Sequence, residues 1–103
     1  MVSREGQFHL QDTVADAFRL SEEALIVIGG RIGVRDRQGG RLSATTPWSI
    51  KSWGENIWVT LQGADGDVSV HVRIDSKVST TLIDWGQSAD NMKRLGDWLT
   101  KTR

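Results

Sequence analysis

Two runs of alternating apolar and polar residues, separated by a short turn, constrain this chain more than any other feature. Residues 58–62 and 68–74 alternate, and Asp65-Gly66 between them is a strong signal for a β-hairpin in which residues 56–62 pair with residues 67–75. Because successive side chains of a strand point to opposite faces, the alternation predicts one apolar and one polar face. The apolar face carries Ile57, Val59, Leu61, Val68, Val70, Val72 and Ile74, and the polar face carries Trp58, Thr60, Ser69, His71 and Arg73.

A second hairpin is predicted earlier in the chain, from residues 31–36 and 41–46 around the turn 37–40. Simple alternation turns Val34 inward with Leu42 and turns Arg35 outward. A short first strand is predicted at residues 8–10, after a polar leader. Pro47 ends the second hairpin, because proline cannot donate to a central ladder.

Helical periodicity predicts two helices. Apolar residues recur at three- and four-residue intervals from Val14 to Ile28, so the first helix is expected over about 12–28, although the β-branched run at its end is equally typical of a strand. Gly29 and Gly30 follow as a natural end signal. The second helix is expected over about 87–101, with Met92, Leu95 and Leu99 on its inner face.

Length, charge and cysteine content narrow the class of protein. The chain has 103 residues, so we expect residues 1–103 to form one domain. Thirteen basic residues balance thirteen acidic ones, which makes nucleic acid an unlikely partner, and the absence of cysteine excludes disulfides and thiolate metal sites. The sequence shows no signal peptide and no membrane span, so a cytoplasmic location is expected.

The predicted order is strand, helix, four strands, helix (β-α-β-β-β-β-α). We therefore predict an α+β fold with a single curved antiparallel sheet and two helices on one face. This order resembles the TATA-binding-protein-like fold, and the resemblance implies that the second face of the sheet stays open.

Short motifs in the second half of the chain give a narrower resemblance. Residues 52–55 read S-W-G-E, residues 82–86 read L-I-D-W-G, and Asn91 precedes Leu95 by four positions. These motifs resemble those of an uncharacterised bacterial family of small domains, over about residues 40–100. The chain departs from that family at Gln87-Ser88, where the family has Lys-Asn, and the resemblance implies a fold but no activity.

The segment Asp84-Trp85-Gly86 is predicted to be structural. Asp84 is expected to cap the second helix by accepting its free backbone amides. Trp85 is expected to anchor that entry against the core, and Gly86 to allow a close approach.

No residue pattern typical of catalysis or of metal binding is present. His9 and His71 are the only histidines, both fall at outward strand positions, and neither belongs to a ligand spacing. No serine or threonine stands in a nucleophile motif. We therefore expect no enzyme activity, no metal and no cofactor.

The leading functional hypothesis comes from Trp58, which alternation places on the polar face. A two-residue turn at Asp65-Gly66 puts Trp58 opposite Arg73, and a four-residue loop puts it opposite His71. We expect a protein-interaction or self-associating module that uses the open face, since Trp and Arg are frequent interface hot spots. The predicted surface is Trp58, His71, Arg73, Arg35 and Thr60.

The alternative hypothesis is a small apolar-ligand-binding domain with a cleft between the sheet and a helix. The connection after the second hairpin carries Trp48 and Trp53, which would form the lid of that cleft. Nucleic-acid binding ranks third, because fold analogy alone is a weak reason for it.

Overall fold

A computed structural model describes residues 2–46, 54–76 and 92–100 of the chain. The predicted α+β class is confirmed, and the elements follow in the predicted order, strand, helix, four strands, helix. In chain order the elements are β1 (Val2–Leu10), α1 (Val14–Val27), β2 (Arg31–Asp36), β3 (Arg41–Thr46), β4 (Glu55–Ala64), β5 (Asp67–Ser76) and α2 (92–100).

The five strands form one antiparallel sheet in the order β1-β5-β4-β3-β2. Strands β2, β3 and β4 each pair with the strand that follows them in the chain. Strand β1 instead pairs with β5, the strand farthest from it in sequence. β1 and β2, which α1 connects, therefore form opposite edges of the sheet.

Both helices pack on one face of the sheet, as predicted. Phe18 and Leu25 of α1 join Leu95 and Leu99 of α2 in the cluster of buried side chains that includes the apolar face of the strands. We call the opposite side of the sheet the open face. The buried strand residues are Leu10, Leu42, Ala44, Ile57, Val59, Leu61, Val68, Val70, Val72 and Ile74.

The register of the β4–β5 hairpin resolves the two possibilities left by the sequence. Ala64 pairs with Asp67 around a two-residue turn, so Trp58 lies opposite Arg73 and Thr60 lies opposite His71. The turn needs glycine only at its second position: Gly66 has φ +92°, and in the described part of the chain no residue other than glycine has positive φ.

Helix α1 has well-formed ends at both termini. Thr13 precedes it as N-cap, and its hydroxyl accepts a hydrogen bond from the backbone N–H of Asp16 at 3.1 Å. At the other end, the N–H of Gly29 bonds to Ile26 O and the N–H of Gly30 bonds to Leu25 O, both at 2.9 Å. This pair of bonds is the Schellman pattern, and it settles the residues up to Val27 as helix and not strand.

The second helix provides a basic side chain at the C-terminal end of α1. The last turn of α1 contains no basic residue, and its carbonyls carry partial negative charge. Arg94 of α2 donates a hydrogen bond from Nη2 to the carbonyl oxygen of Val27 at 3.1 Å. One cation therefore complements the end of α1 and ties the two helices together.

Strand β1 is longer than the sequence predicted. It spans nine residues, not the three at 8–10. Its inward positions are Arg4, Gly6, Phe8 and Leu10, which sit on the face that the helices cover. Because only the last two are apolar, the alternation that identifies a strand is visible only at its end.

A bulge in β2 overturns two predictions about that strand. Ile32 pairs with Ala44, but the next paired residue is Val34 opposite Ser43, so the register shifts by one at Gly33. Val34 therefore lies on the open face and is 51% exposed, although it was expected in the core. Arg35 is opposite Leu42 and turns to the helix face.

The other expected core residues behave largely as predicted. Ile32 and Met92 are only partly buried against the core, and Leu82 lies outside the described residues. The residues confirmed as buried are Phe18, Leu25, Leu42, Ile57, Val59, Leu61, Val70, Val72, Ile74, Leu95 and Leu99.

Candidate functional site

A single row of side chains crosses all five strands on the open face. Glu5 of β1 pairs with Arg73, Arg73 with Trp58, Trp58 with Ser43, and Ser43 with Val34. Trp58 is 43% exposed in the middle of this row, although tryptophan is mostly buried in proteins. The predicted outward position of Trp58 is therefore correct.

Arg73 is held in place by a carboxylate that is itself buried. Its Nε donates to Asp75 Oδ1 at 3.0 Å, and the Ser3 hydroxyl donates to the same oxygen. Asp75 is only 5% exposed. Arg73 Cζ lies 6.0 Å from the centroid of the Trp58 ring, within the range of a cation–π contact.

Asp75 remains ionised in this position. Burial raises the pKa of its carboxyl, but the hydrogen bonds from Ser3 and Arg73 and the charge of Arg73 outweigh that effect. The pKa of Asp75 therefore lies below its ordinary value. An ionised Asp75 keeps the guanidinium of Arg73 in a fixed orientation beside Trp58.

A second pair of contacting side chains, His71 and Glu5, lies next to the pair formed by Arg73 and Asp75. His71 Nε2 is 3.0 Å from Glu5 Oε1, and Thr60 stands opposite His71 on β4. Together with Trp58, Arg73 and Asp75, these residues line a shallow cleft of about 540 Å³, which we call the open-face cleft. Its lining residues are Glu5, Trp58, Thr60, His71, Arg73 and Asp75.

Trp58 borders more than this one depression. Two further depressions on its β3 side are also lined by its ring, one together with Val34 and one together with Gly33. The indole therefore stands as a ridge with concave surface on several sides. Such a ridge is accessible to a flat group that stacks on it.

Arg35, predicted on this surface, is absent from it because of the β2 bulge. Its Nη2 lies 2.7 Å from Glu22 Oε2 on α1. Arg37 reaches the other oxygen of Glu22 at 4.0 Å and places its Cζ 5.0 Å from the centroid of the Phe18 ring. These cations are engaged by α1, so the arginines of this hairpin do not line the open-face cleft.

A cleft also lies between the edge strand and the second helix, which we call the β1–α2 cleft. It has a volume of about 480 Å³, with Phe8 and Met92 as its apolar part. Lys93 and Asp97, whose charged atoms are 3.6 Å apart, stand at its side. The remaining lining residues are Arg4, Glu5, Gly96 and Thr100.

Two glycines let β1 and α2 approach each other closely here. A Cβ on Gly6 of β1 would lie 2.8 Å from Met92 Sδ, and a Cβ on Gly96 of α2 would lie 2.7 Å from Phe8 Cε1. Each element therefore receives a large side chain of the other at a glycine. The two side chains that fill the contact, Phe8 and Met92, are only partly buried.

A larger and more polar cleft, of about 770 Å³, lies at the other end of β1. His9 and Asp67 face each other across it, with His9 Nδ1 3.9 Å from Asp67 Oδ1, and Thr100 lines both this cleft and the β1–α2 cleft. The outward position predicted for His9 is correct, since its side chain is largely exposed.

Within residues 2–46, 54–76 and 92–100, no three His, Asp or Glu side chains come together in a way that would hold a metal ion. Over the same ranges, no helix combines the length and the apolar character needed to cross a membrane.

Several predicted site residues fall outside the described ranges. Trp48 and Trp53, the expected lid, and the expected cap Asp84-Trp85-Gly86 are among them. Their roles stay predictions.

Sequence reasoning missed the residues that β1 contributes. Ser3 and Glu5 both reach the open-face site, and Gly6 and Phe8 form one wall of the contact with α2. The available signal was the alternation of Phe8-His9-Leu10, which extends backwards to place every odd-numbered residue of β1 outward.

Comparison with known proteins identifies the fold but no family. No family model matches the chain, and no curated protein matches it. The chain is similar in structure to Ara h 8.0201, with a TM-score of 0.62 and 13% identity, over 98% of this chain and 99% of that one. It is also similar to the di-domain ARO/CYC BexL from the BE-7585A biosynthetic pathway, with a TM-score of 0.66 and 11% identity.

The second likeness covers 93% of this chain and 45% of the BexL chain, so this chain spans less than half the length of that protein. Both likenesses fit a helix-grip-like α+β fold, in which a helix packs across one antiparallel sheet. At these identities they establish the fold alone. The resemblance to the TATA-binding-protein-like fold stays a prediction.

Proposed function

We propose that this domain binds a small apolar or amphiphilic ligand between β1 and α2, without catalysing a reaction on it. The observation that carries the proposal is the β1–α2 cleft, where Phe8 and Met92 offer apolar surface beside the charged pair Lys93 and Asp97. Ligand sites are concave, mostly apolar, and supplied with a few polar groups that orient the ligand.

The volume of the cleft supports a small ligand. About 480 Å³ falls within the roughly 300–1,000 Å³ range of known ligand sites. Met92 is unbranched and only partly buried, so its side chain can adjust its shape to a guest. The ligand class that fits is an apolar body with one polar end.

The fold likeness also supports this proposal over the alternatives. BexL is an ARO/CYC protein of a biosynthetic pathway, and it shares with this chain a helix packed across one antiparallel sheet. The likeness is distant, so it supports ligand binding as a class of function and gives neither the position of a site nor the identity of a ligand.

The proposal is tested by fluorescence with the apolar dye 1-anilinonaphthalene-8-sulfonate as probe. Thr100 is exposed and lines the clefts on both sides of its position, so Thr100→Phe should fill part of the space. We expect saturable dye binding by the native protein, competition by medium-chain fatty acids, and at least a fivefold weaker affinity in Thr100→Phe.

The matched control is Thr45→Phe, the same substitution at an exposed position of the open face. It should bind the dye as the native protein does. Absence of saturable binding, or equal affinity in Thr100→Phe and the native protein, would contradict the proposal.

A second candidate function is protein interaction or self-association through the open face. One observation favours it: Trp58 and Val34, two exposed apolar side chains, lie in the same cross-strand row. Sedimentation velocity over a range of concentrations tests the self-associating form. A concentration-dependent increase in mass that Trp58→Ala abolishes would support it, and a monomer at every concentration would exclude it.

Nucleic-acid binding receives no support from the arrangement of cations. Arg35 and Arg37 face Glu22, and Arg41 Nη2 lies 3.4 Å from Asp36 Oδ2. A phosphate backbone requires cations that are available to it. Three arginines of the β2–β3 hairpin are therefore paired with acids of the same chain.

A further inference from the structure

The open-face cleft has the parts of a recognition site for one flat polar ring. Trp58 is 43% exposed, and Arg73 places its Cζ over the indole ring, 6.0 Å from the centroid, in an orientation set by Asp75. Arginine side chains and aromatic rings are the surfaces on which heterocycles stack in proteins. Neither group belongs to the β1–α2 cleft, which lies at the edge of the sheet.

Arg73 is more than an exposed surface charge. The buried carboxylate of Asp75 accepts a hydrogen bond from Arg73 Nε, and the Ser3 hydroxyl donates a hydrogen bond to the same carboxylate. In the described part of the chain, the structure records no acceptor for the two terminal amino groups of Arg73. A pair of parallel N–H donors is therefore presented in a fixed direction, which suits two adjacent acceptors on a ring edge.

The same cleft also presents acceptors. Glu5 Oε1 meets His71 Nε2 at 3.0 Å, and the Glu5 side chain is 63% exposed. Thr60, opposite His71, adds a hydroxyl that can donate or accept. The cleft therefore recognises a ring that carries both acceptors and donors.

The arrangement of charge disfavours an anionic ligand. Arg73 is matched by Asp75, and Glu5 adds a carboxylate to the same cleft, with His71 Nε2 as its partner at 3.0 Å. A phosphate or carboxylate entering here would meet Glu5 at short range, and like charges in partly buried sites repel strongly. The ligand that fits is uncharged.

We infer that the open-face cleft binds an uncharged heteroaromatic ring with hydrogen-bonding edges, of the kind found in a free nucleobase or nucleoside. The ring stacks on Trp58, its acceptor edge meets the terminal amino groups of Arg73, and a donor reaches Glu5. Glu5 lines both this cleft and the β1–α2 cleft, but Trp58 and Arg73 line only the open-face cleft, so the ring contacts of this site are separate from the apolar contacts of the other.

The test is a titration followed by the indole N–H resonance of Trp58 in proton–nitrogen correlation spectra, identified by its loss in Trp58→Phe. The probes are inosine, its charged counterpart inosine 5′-monophosphate, and glucose. We expect inosine to shift the Trp58 resonance saturably, the monophosphate to bind at least threefold more weakly, and glucose to cause no saturable shift.

Arg73→Lys keeps the positive charge but loses the paired donors, so it should weaken inosine binding at least tenfold. Arg41→Lys is the matched control on the same face and should leave binding unchanged. Thr100→Phe should also leave it unchanged, which separates this site from the proposed function.

Four results would overturn the inference. They are no saturable shift with inosine up to its solubility limit, tighter binding of the monophosphate, equal binding by Arg73→Lys, and a Trp58 resonance that responds to protein concentration but not to inosine. The last result would assign the surface to self-association.

Discussion

Asp75 makes the stability of the protein depend on pH. Burial raises the pKa of its carboxyl, but the interactions with Ser3 and Arg73 lower that pKa by a larger amount. Because the folded-state pKa lies below the ordinary value of 3.8, the ionised group stabilises the folded state. This stabilisation is complete above pH 3.8 and is lost as the pH falls through the lower folded-state value.

We therefore expect Asp75→Asn to be less stable than the native protein at neutral pH, with a difference that shrinks as the solution becomes more acidic than about pH 4. Urea denaturation at a series of pH values measures it. Asp97→Asn, at an exposed surface ion pair, is the control and should change stability little. Parallel pH profiles for Asp75→Asn and the native protein would contradict this account.

Two glycines of the β4–β5 hairpin allow steric overlap to be separated from backbone strain. Gly63 and Gly66 both have positive φ, +113° and +92°. A Cβ on Gly63 would lie 2.2 Å from the backbone oxygen of Asp67, whereas a Cβ on Gly66 would meet nothing within 4 Å. Alanine at Gly66 therefore adds only the conformational penalty, and alanine at Gly63 adds a clash with backbone.

We expect Gly66→Ala to cost about 1–2 kcal/mol of unfolding free energy. Gly63→Ala should cost more, because its neighbour is backbone that cannot rotate away. Thermal and urea denaturation of the two variants provide the comparison. Equal destabilisation would show that the turn relaxes around the added methyl group.

At the residue scale, alternation predicted the surface of the site but not what holds it. Trp58, Thr60, His71 and Arg73 lie outward, as the period of two requires. The bond between Ser3 and Asp75 spans 72 positions of the chain, so it depends on the pairing of β1 with β5. The residues that surround Asp75 in the sequence therefore carry no information about its contact with Ser3.

At the scale of elements, β2 shows where alternation fails. The predicted hairpin has the observed bounds of β2 and β3, yet the bulge at Gly33 moves Val34 out and Arg35 in. A bulge is decided by the ladder of hydrogen bonds between two strands and by the partners available on each face. Here Glu22 of α1 receives Arg35 on the helix face.

The contact between β1 and α2 yields a prediction about paired substitutions. Gly96→Ala would place a methyl group 2.7 Å from Phe8 Cε1, so the ring must move or α2 must shift outward. We expect a cost of about 1–3 kcal/mol, the usual range for overpacking. Calorimetry or urea denaturation measures it.

A double-mutant cycle supplies the control for this prediction. Phe8→Leu removes the atoms that the new methyl group would meet, so Gly96→Ala should cost less in that background than in the native protein. Additive effects of the two changes would show that Gly96 and Phe8 do not compete for the same space.

At the scale of the whole molecule, one buried cluster joins both helices to the sheet. Val70 is fully buried at its centre, while Val34 is 51% exposed on the opposite face. We expect Val70→Ala to cost on the order of 2–4 kcal/mol, through lost burial and the cavity left behind. Val34→Ala, the same change at the surface, should cost well under 1 kcal/mol, roughly the range of surface substitutions.

Fold class, element order and the placement of both helices on one face could be predicted from the sequence, because periodicity and turn residues report directly on local structure. A cleft between the sheet and a helix was predicted as the alternative, but the positions and lining residues of the clefts could not be, since each cleft is formed by elements distant in the chain. Phe8 and Gly96, for example, meet only because α2 crosses the edge strand.

The pairing of β1 with β5 sets the order of events during synthesis. Leu10 pairs with Val68 and Val2 with Ser76, so β1 leaves the ribosome before the strand that it pairs with has been made. At roughly 5–20 residues per second, that interval is on the order of several seconds. An unpaired apolar strand would be prone to aggregation over such a time. Ser3, Glu5 and Gln7, together with inward Arg4, keep the nascent β1 hydrophilic until β5 arrives.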